Sequence, residues 1–199
     1  MENAKSARKF CEFFILQFAF CTVKRISMAT LQILKYPNPI LKKKSRPVLK
    51  IDSATHRLIQ DMAETMYAAP GVGLAAPQVG CPLRLAVLDI TPADQPKNLV
   101  VLINPEVIAA EGECSWEEGC LSIPEYTQEV KRKKKIVVRY QDLQGEKREI
   151  VGDDDLLSIA LQHEIDHLDG ILFIDRISRL KRGLFRKKLQ KESKEGKKS

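Results

Sequence analysis

His163-Glu164-Ile165-Asp166-His167 holds two of the chain's three histidines, four residues apart. On a helix that spacing puts both imidazoles on one face, one turn apart, where they can share a metal ion. Glu164 lies beside the same face, within reach of a water on that ion, which completes a minimal kit for metal-assisted hydrolysis. A catalytic site usually takes three protein ligands and leaves one position open. The third histidine, His56, sits in a helical pattern over 52–69 whose apolar face is Leu58, Ile59, Met62 and Met66, so it points to solvent. Just after the motif only Asp169 is on offer, and the remaining candidates are five cysteines.

Cys120 stands out among them, in Glu118-Gly119-Cys120-Leu121-Ser122, where glycine lets the backbone turn and approach closely. Cys11 and Cys21 read as small hydrophobes of an apolar stretch, and Cys81 and Cys114 as packing or turn residues. An odd count without tight spacing gives no disulfide framework and fits a reducing compartment. The third marked segment is Gly71-Val72-Gly73-Leu74-Ala75-Ala76-Pro77-Gln78. It lacks the flanking strand and helix of a dinucleotide-binding loop. Its glycines can bring bare backbone against a ligand, and Gln78 presents an amide donor of the kind an oxyanion hole uses.

Taken in order, Gly71-x-Gly73-x-Ala75-Ala76-x-Gln78, Glu118-Gly119-Cys120-Leu121-Ser122 and His163-Glu164-x-x-His167 resemble the three signature motifs of the peptide deformylase family. The likeness runs from about Met28 to Ile174 and includes Leu31 to Pro37 and Asn104-Pro105. It implies that Cys120, His163 and His167 hold one divalent metal, Fe2+ in the cell, with Zn2+, Ni2+ or Co2+ as substitutes. It implies a hydrolase that removes the formyl group from the N-terminal formylmethionine of nascent chains and releases formate. Water activated on the metal attacks the formyl carbon, Glu164 serves as general base and then acid, and Gln78 with the Leu121 backbone N–H holds the oxyanion. Gly73 contacts the peptide, while Val72, Leu156, Ile159 and Ala160 line a methionine pocket. Asp166 supports the ligands or forms an ion pair.

These groups need elements to hold them. Asp153, Asp154 and Asp155 offer an N-cap and Gly170 a stop, and between them Leu156, Leu157, Ile159, Ala160, Leu161, Ile165 and Leu168 mark a buried helix. Leu83 to Leu88 and Leu99 to Ile103 read as strands, and 134–140 with 146–151 as a hairpin turning at Leu143-Gln144-Gly145. Strands in series with few long helices predict an α+β fold: antiparallel sheets around a central buried metal-binding helix, plus a C-terminal helix. One catalytic domain over 28–175 is expected between two appendages.

The first appendage, 1–27, has an apolar run from Phe10 to Val23 too short to span a bilayer, and Glu12 interrupts it. It reads as dispensable or non-native, with Met28 as the working start and no stable membrane insertion. The second, 176–199, carries eleven Lys/Arg and two Glu, a net of +9 against +7 for the whole chain, so residues 1–175 net −2. Ile177, Leu180 and Leu184 recur at helical spacing, so the tail starts as an amphipathic helix that frays after Gln190. For an enzyme of nascent chains its polyanion is ribosomal RNA rather than DNA, and the setting is cytoplasmic. Lys131 to Lys135 form a second basic cluster, read as a charged strand edge. A generic zinc endopeptidase needs a downstream ligand and has no use for Cys120. A non-catalytic RNA-binding protein rests on the tail alone.

Overall fold

A computed structural model describes residues 30–195 of the 199. The run from Phe10 to Val23 and the start at Met28 lie outside the described residues. Helix α1 (Ser53–Ala68) opens under Asp52, whose carboxylate accepts from the N–H groups of Ala54 and Thr55. Seven strands follow: β1 (Gly73–Ala75), β2 (Leu85–Leu88), β3 (Val100–Glu111), β4 (Cys114–Cys120), β5 (Ile123–Arg132), β6 (Lys135–Gln141) and β7 (Lys147–Asp153). Helices α2 (Leu156–Leu168), α3 (Phe173–Arg176) and α4 (Arg179–Glu195) complete the described residues.

Strands β1-β2-β3-β6-β7 form one antiparallel sheet in that order, and β4 with β5 form a separate two-stranded sheet. Strand β2 and the start of β3, Val100 to Ile103, read as unbroken apolar runs because both faces of the sheet are covered there. Leu85, Val87, Val101 and Ile103 pack with Met62 and Met66 of α1. Ala86, Leu88 and Leu102 pack with Ala160, Leu161, Ile165 and Leu168 of α2. This is the α+β frame the strand pattern suggested, with the motif helix at its centre.

Three local features differ from the reading of the residues. Strand β3 runs on through Pro105 to Glu111, and register shifts after Ile103 and Val107 accommodate it. Within Gly71 to Gln78, where no strand is read from the residues, Gly73, Leu74 and Ala75 pair with Leu88, Val87 and Ala86. Gly119 makes no turn: it lies within β4, and the chain reverses just after it, where Cys120 pairs with Ile123.

Candidate metal centre

Helix α2 is fixed at its start by its own cap and by the β5–β6 connection. Asp155 is its N-cap and accepts from Ser158 N–H at 2.7 Å. Ser158 Oγ donates to the carbonyls of Lys133 and Lys134, at 3.1 and 3.0 Å, which ties the first turn to the β5–β6 connection. Asp153 and Asp154 instead pair with Lys135 and Lys134. This anchoring sets the rotation of α2 and therefore where its two imidazoles point.

They point at the end of β4. Ligand atoms of Cys120, His163 and His167 all lie within 4.8 Å of one another. Cys120 Sγ is 3.2 Å from His167 Nε2. The thiol also receives Ser122 N–H at 3.4 Å and the Gln78 amide Nε2 at 3.6 Å. Gln78 is itself held, because its Oε1 accepts from Ala75 N–H at 2.8 Å and its Nε2 also donates to Ser122 Oγ at 3.2 Å. Gln78 and Cys120, 42 positions apart in sequence, and Cys120 and His167, 47 apart, are thus neighbours in space. His56 is exposed and takes no part.

Burial alone would push the Cys120 thiol up, but the charges of His167 and His163 beside it outweigh that and hold it well below the usual thiol range. His163 moves the other way. Burial opposes its charge, yet Cys120, Glu118 and Glu164 raise it well above an ordinary imidazole. Its Nδ1 is 2.9 Å from Glu118 Oε2, which leaves Nε2 for an ion. Glu164 is 4% exposed, and burial pushes its carboxyl up to about 7 against the pull of the two imidazoles. Glu164 Oε2 and His167 Nδ1 are buried without a hydrogen-bond partner. A thiolate and two imidazoles suit a borderline divalent metal. The donor set, with one ring oriented by a carboxylate and two N–H groups on the sulfur, fits such an ion.

Glu118 and Arg132 had no assigned role in the sequence, and the structure gives them one. Arg132, expected on a charged exposed edge, is 4% exposed and bidentate to Glu118 at 2.5 and 2.8 Å. It reaches Asp166 Oδ2 at 2.5 Å as well, so Asp166 is an ion-pair residue inside the ligand helix. One signal was available. Glu118 is two residues from Cys120 on a strand, hence on the same face. The arginine carried none, because it is camouflaged among lysines.

A cleft of about 460 Å³ opens over the cluster. Val72, Gly73, Leu156, Ile159 and Ala160 line it with Leu121, and so does Trp116 from β4. Ile159 and Ala160 are buried, Leu156 is half-buried and Val72 is exposed. Gly73 has no room for a side chain, since a Cβ there would lie 2.3 Å from Glu164 Oε1. Helix α4 is seated by Phe185 and Leu189, beside Ile177 just before it, against Tyr36 and Tyr126. Leu180 and Leu184, expected on its apolar face, are 74% and 59% exposed. The break at Ile177-Ser178 between α3 and α4 shifts the phase of the pattern.

Fold and cluster together describe an α+β frame that brings a thiol and two imidazoles close enough to hold a metal ion. The family model described as Polypeptide deformylase matches residues 30–183. A peptide deformylase of Syntrophobacter fumaroxidans is 52% identical over 168 residues, which cover 84% of this chain and 98% of that one. One of Bartonella henselae is 54% identical over 160 residues, covering 80% and 90%. The crystal structure of a peptide deformylase from Legionella pneumophila aligns with a TM-score of 0.78 at 44% identity, over 86% of this chain and 99% of that one. A peptide deformylase of Ehrlichia chaffeensis in complex with actinonin aligns at 0.77 and 35% identity, over 83% and 98%. The chain belongs to the polypeptide deformylase family. No helix among the described residues is long and apolar enough to cross a membrane.

Proposed function

We propose that the chain removes the formyl group from the N-terminal formylmethionine of nascent polypeptides, with one divalent ion held by Cys120, His163 and His167. The observation that carries this reading is the convergence of those three donors beneath a cleft that also contains a buried, unpartnered carboxylate oxygen of Glu164. Fe2+ is the ion we assign, by likeness to the family, and Zn2+, Ni2+ or Co2+ suit the same donors. When bound, such an ion polarises the formyl oxygen and brings the pKa of a water towards neutrality.

Glu164 takes the proton of the attacking water as it adds to the formyl carbon. It returns that proton to the departing nitrogen as the C–N bond breaks, leaving formate and a free amine. A carboxyl held near neutrality can do both. Gln78 Nε2 and the Leu121 backbone N–H are the donors offered to the oxyanion. The bond from Ala75 to Gln78 Oε1 supports this, because it fixes which end of the amide faces the sulfur. Gly73, whose missing side chain leaves room for the Glu164 carboxylate, offers its backbone to the substrate peptide. Val72, Leu156, Ile159 and Ala160 form the methionine pocket, in keeping with their place in the cleft wall.

Formate release from formyl-Met-Ala-Ser, with formyl-Ala-Ala-Ser as contrast, tests reaction and pocket together. Glu164→Gln should lower kcat by about 10²- to 10⁴-fold with metal content unchanged. Retained turnover in that variant would remove Glu164 from the mechanism.

We place the enzyme in the cytoplasm, where nascent chains are made, and assign the basic helix α4 to ribosome docking. Arg179, Lys181, Arg186 and Lys187 are exposed on it, which supports attraction to a polyanion. Truncation is a poor test, because Phe185 packs on the cleft residue Tyr126 with ring centroids 4.4 Å apart. Reversing Lys181, Arg186 and Lys187 to Glu should weaken salt-sensitive ribosome binding and spare short formyl peptides; unchanged affinity would exclude the docking.

A further inference from the structure

The charged groups behind His163 form one chain that ends at the surface. His163 Nδ1 meets Glu118, Glu118 takes both arms of Arg132, and Arg132 reaches Asp166. Asp166 is completed by Arg176, whose Nε and Nη2 reach Oδ2 and Oδ1, each at 2.5 Å. The side chains of Glu118, Arg132 and Asp166 are 3%, 1% and 8% exposed, whereas that of Arg176 is 40% exposed. With Arg176 in place two carboxylates face two guanidiniums, and the buried charges balance. Without it, Arg132 alone would face both carboxylates, and Asp166 Oδ1 would lose the only partner described for it.

Asp166 stands on α2 between the two histidines, three residues after His163 and one before His167. An unbalanced buried carboxylate there must either draw Arg132 away from Glu118 or turn the helix so that Asp166 reaches water. The first releases the ring of His163, and the second displaces both imidazoles. Arg176 is also held from its own side. Phe173, at the other end of the single turn α3, faces the His163 ring with centroids 6.4 Å apart and planes 27° apart. This turn therefore touches the ligand helix twice, once by a ring and once by a charge.

We propose that Arg176 is a positioning residue for the metal centre, acting through Asp166 and Arg132 on His163. The inference rests on the assignment of Cys120, His163 and His167 as ligands, and adds a residue four links away that holds nothing of the substrate. It predicts looser metal binding rather than slower chemistry. Partners of metal ligands typically change affinity by about 10- to 100-fold, and a remote one belongs at the low end.

The test is metal release from Co2+-loaded protein to an excess of a chromogenic chelator, read beside the cobalt ligand-field and thiolate charge-transfer bands. Arg176→Gln should release cobalt about tenfold faster and shift the bands. Arg176→Lys, which keeps the charge but loses the two-pronged geometry, should fall between. Asp166→Asn combined with Arg176→Gln removes both unbalanced charges and should recover much of the retention. A merely structural loss would instead worsen in the double variant, and that result overturns the proposal. So does a folded Arg176→Gln protein with release rate and spectrum unchanged. Wild-type protein that takes up no cobalt would sink the ligand assignment itself, and this inference with it.

Discussion

Replacing Gly73 by alanine adds one methyl group, and the structure says what it meets. The new Cβ would lie 2.3 Å from Glu164 Oε1, 2.9 Å from Cδ and 3.1 Å from Cγ. Real Cβ atoms essentially never approach within 3.0 Å, so Oε1 must retreat by at least 0.7 Å, the difference between the two distances. Oε1 is the far end of a flexible side chain at the cleft wall and can yield, but only by leaving the position described. Two costs follow. The cost in stability is small, at most about 1 kcal/mol or roughly 2–4 °C in Tm, because a side-chain end beside a cleft can yield. A catalytic group displaced by about 1 Å costs on the order of 100-fold in rate. Gly73→Ala should therefore stay folded, keep its metal and lose about two orders of magnitude in kcat on a formyl-Met peptide. Gly119→Ala is the control, because the nearest atom its Cβ meets is Thr127 Cγ2 at 3.4 Å. Formate release and thermal melts on both variants decide the matter. If Gly73→Ala keeps kcat within threefold of wild type (against the roughly 100-fold loss estimated from displacement), Glu164 does not act from the position described.

Other perturbations reach different parts of the molecule. Glu118→Gln weakens the carboxylate that orients His163, and the metal dissociation constant should rise by about 10- to 100-fold in a chelator competition. Gly152→Ala would put a Cβ 2.5 Å from backbone atoms of Ser158, which cannot yield as a side chain can. It should lower stability by about 1–3 kcal/mol in urea melts. Asp89 supplies a pH effect remote from the metal. Burial opposes its charge, but hydrogen bonds from Thr91, Tyr67 and Asn98 outweigh that and hold it at about 2. A carboxyl depressed in the fold stabilises above its unfolded value of about 3.9, and that contribution is lost as pH falls towards 2. Asp89→Asn should thus cost about 1–2 kcal/mol at pH 6 and much less near pH 2. An equal gap at both pH values would contradict the reading.

Much of the site could be read from residue types. Two histidines at helical spacing around a glutamate, on a segment apolar nearly all round, called for a buried helix and an ion to satisfy it. Strands β2 and β3 announced themselves through unbroken apolar runs, and the β6–β7 hairpin through Gly145, which takes φ 81°. Strands β4 and β5 did not. Their residues are largely polar and exposed, and half-exposed Trp116 and buried Val130 are too few to show a period. The C-terminal helix was legible as a helix, but its buried side was not. The pattern was phased on Leu180 and Leu184, while the structure turns Phe185 inward. Arg132 was hidden by its company, since charge alone cannot tell a buried cation from the exposed Lys131, Lys133 and Lys134 around it.

What the sequence settles on its own is the chemistry available: a thiol, two imidazoles, a carboxyl and an amide, each in a segment with a distinct local character. It does so because helical and strand periodicities are short-range, and the identity of a donor atom needs no neighbour. Tertiary structure decides which donors meet and what keeps them there. Cys120 and His167 are 47 residues apart in sequence and 3.2 Å apart in space, a closeness set by strand pairing and by the capped start of α2. The balance of Glu118, Arg132, Asp166 and Arg176 likewise exists only in the folded protein, because opposite charges stabilise one another strongly only when water is excluded and the geometry is fixed.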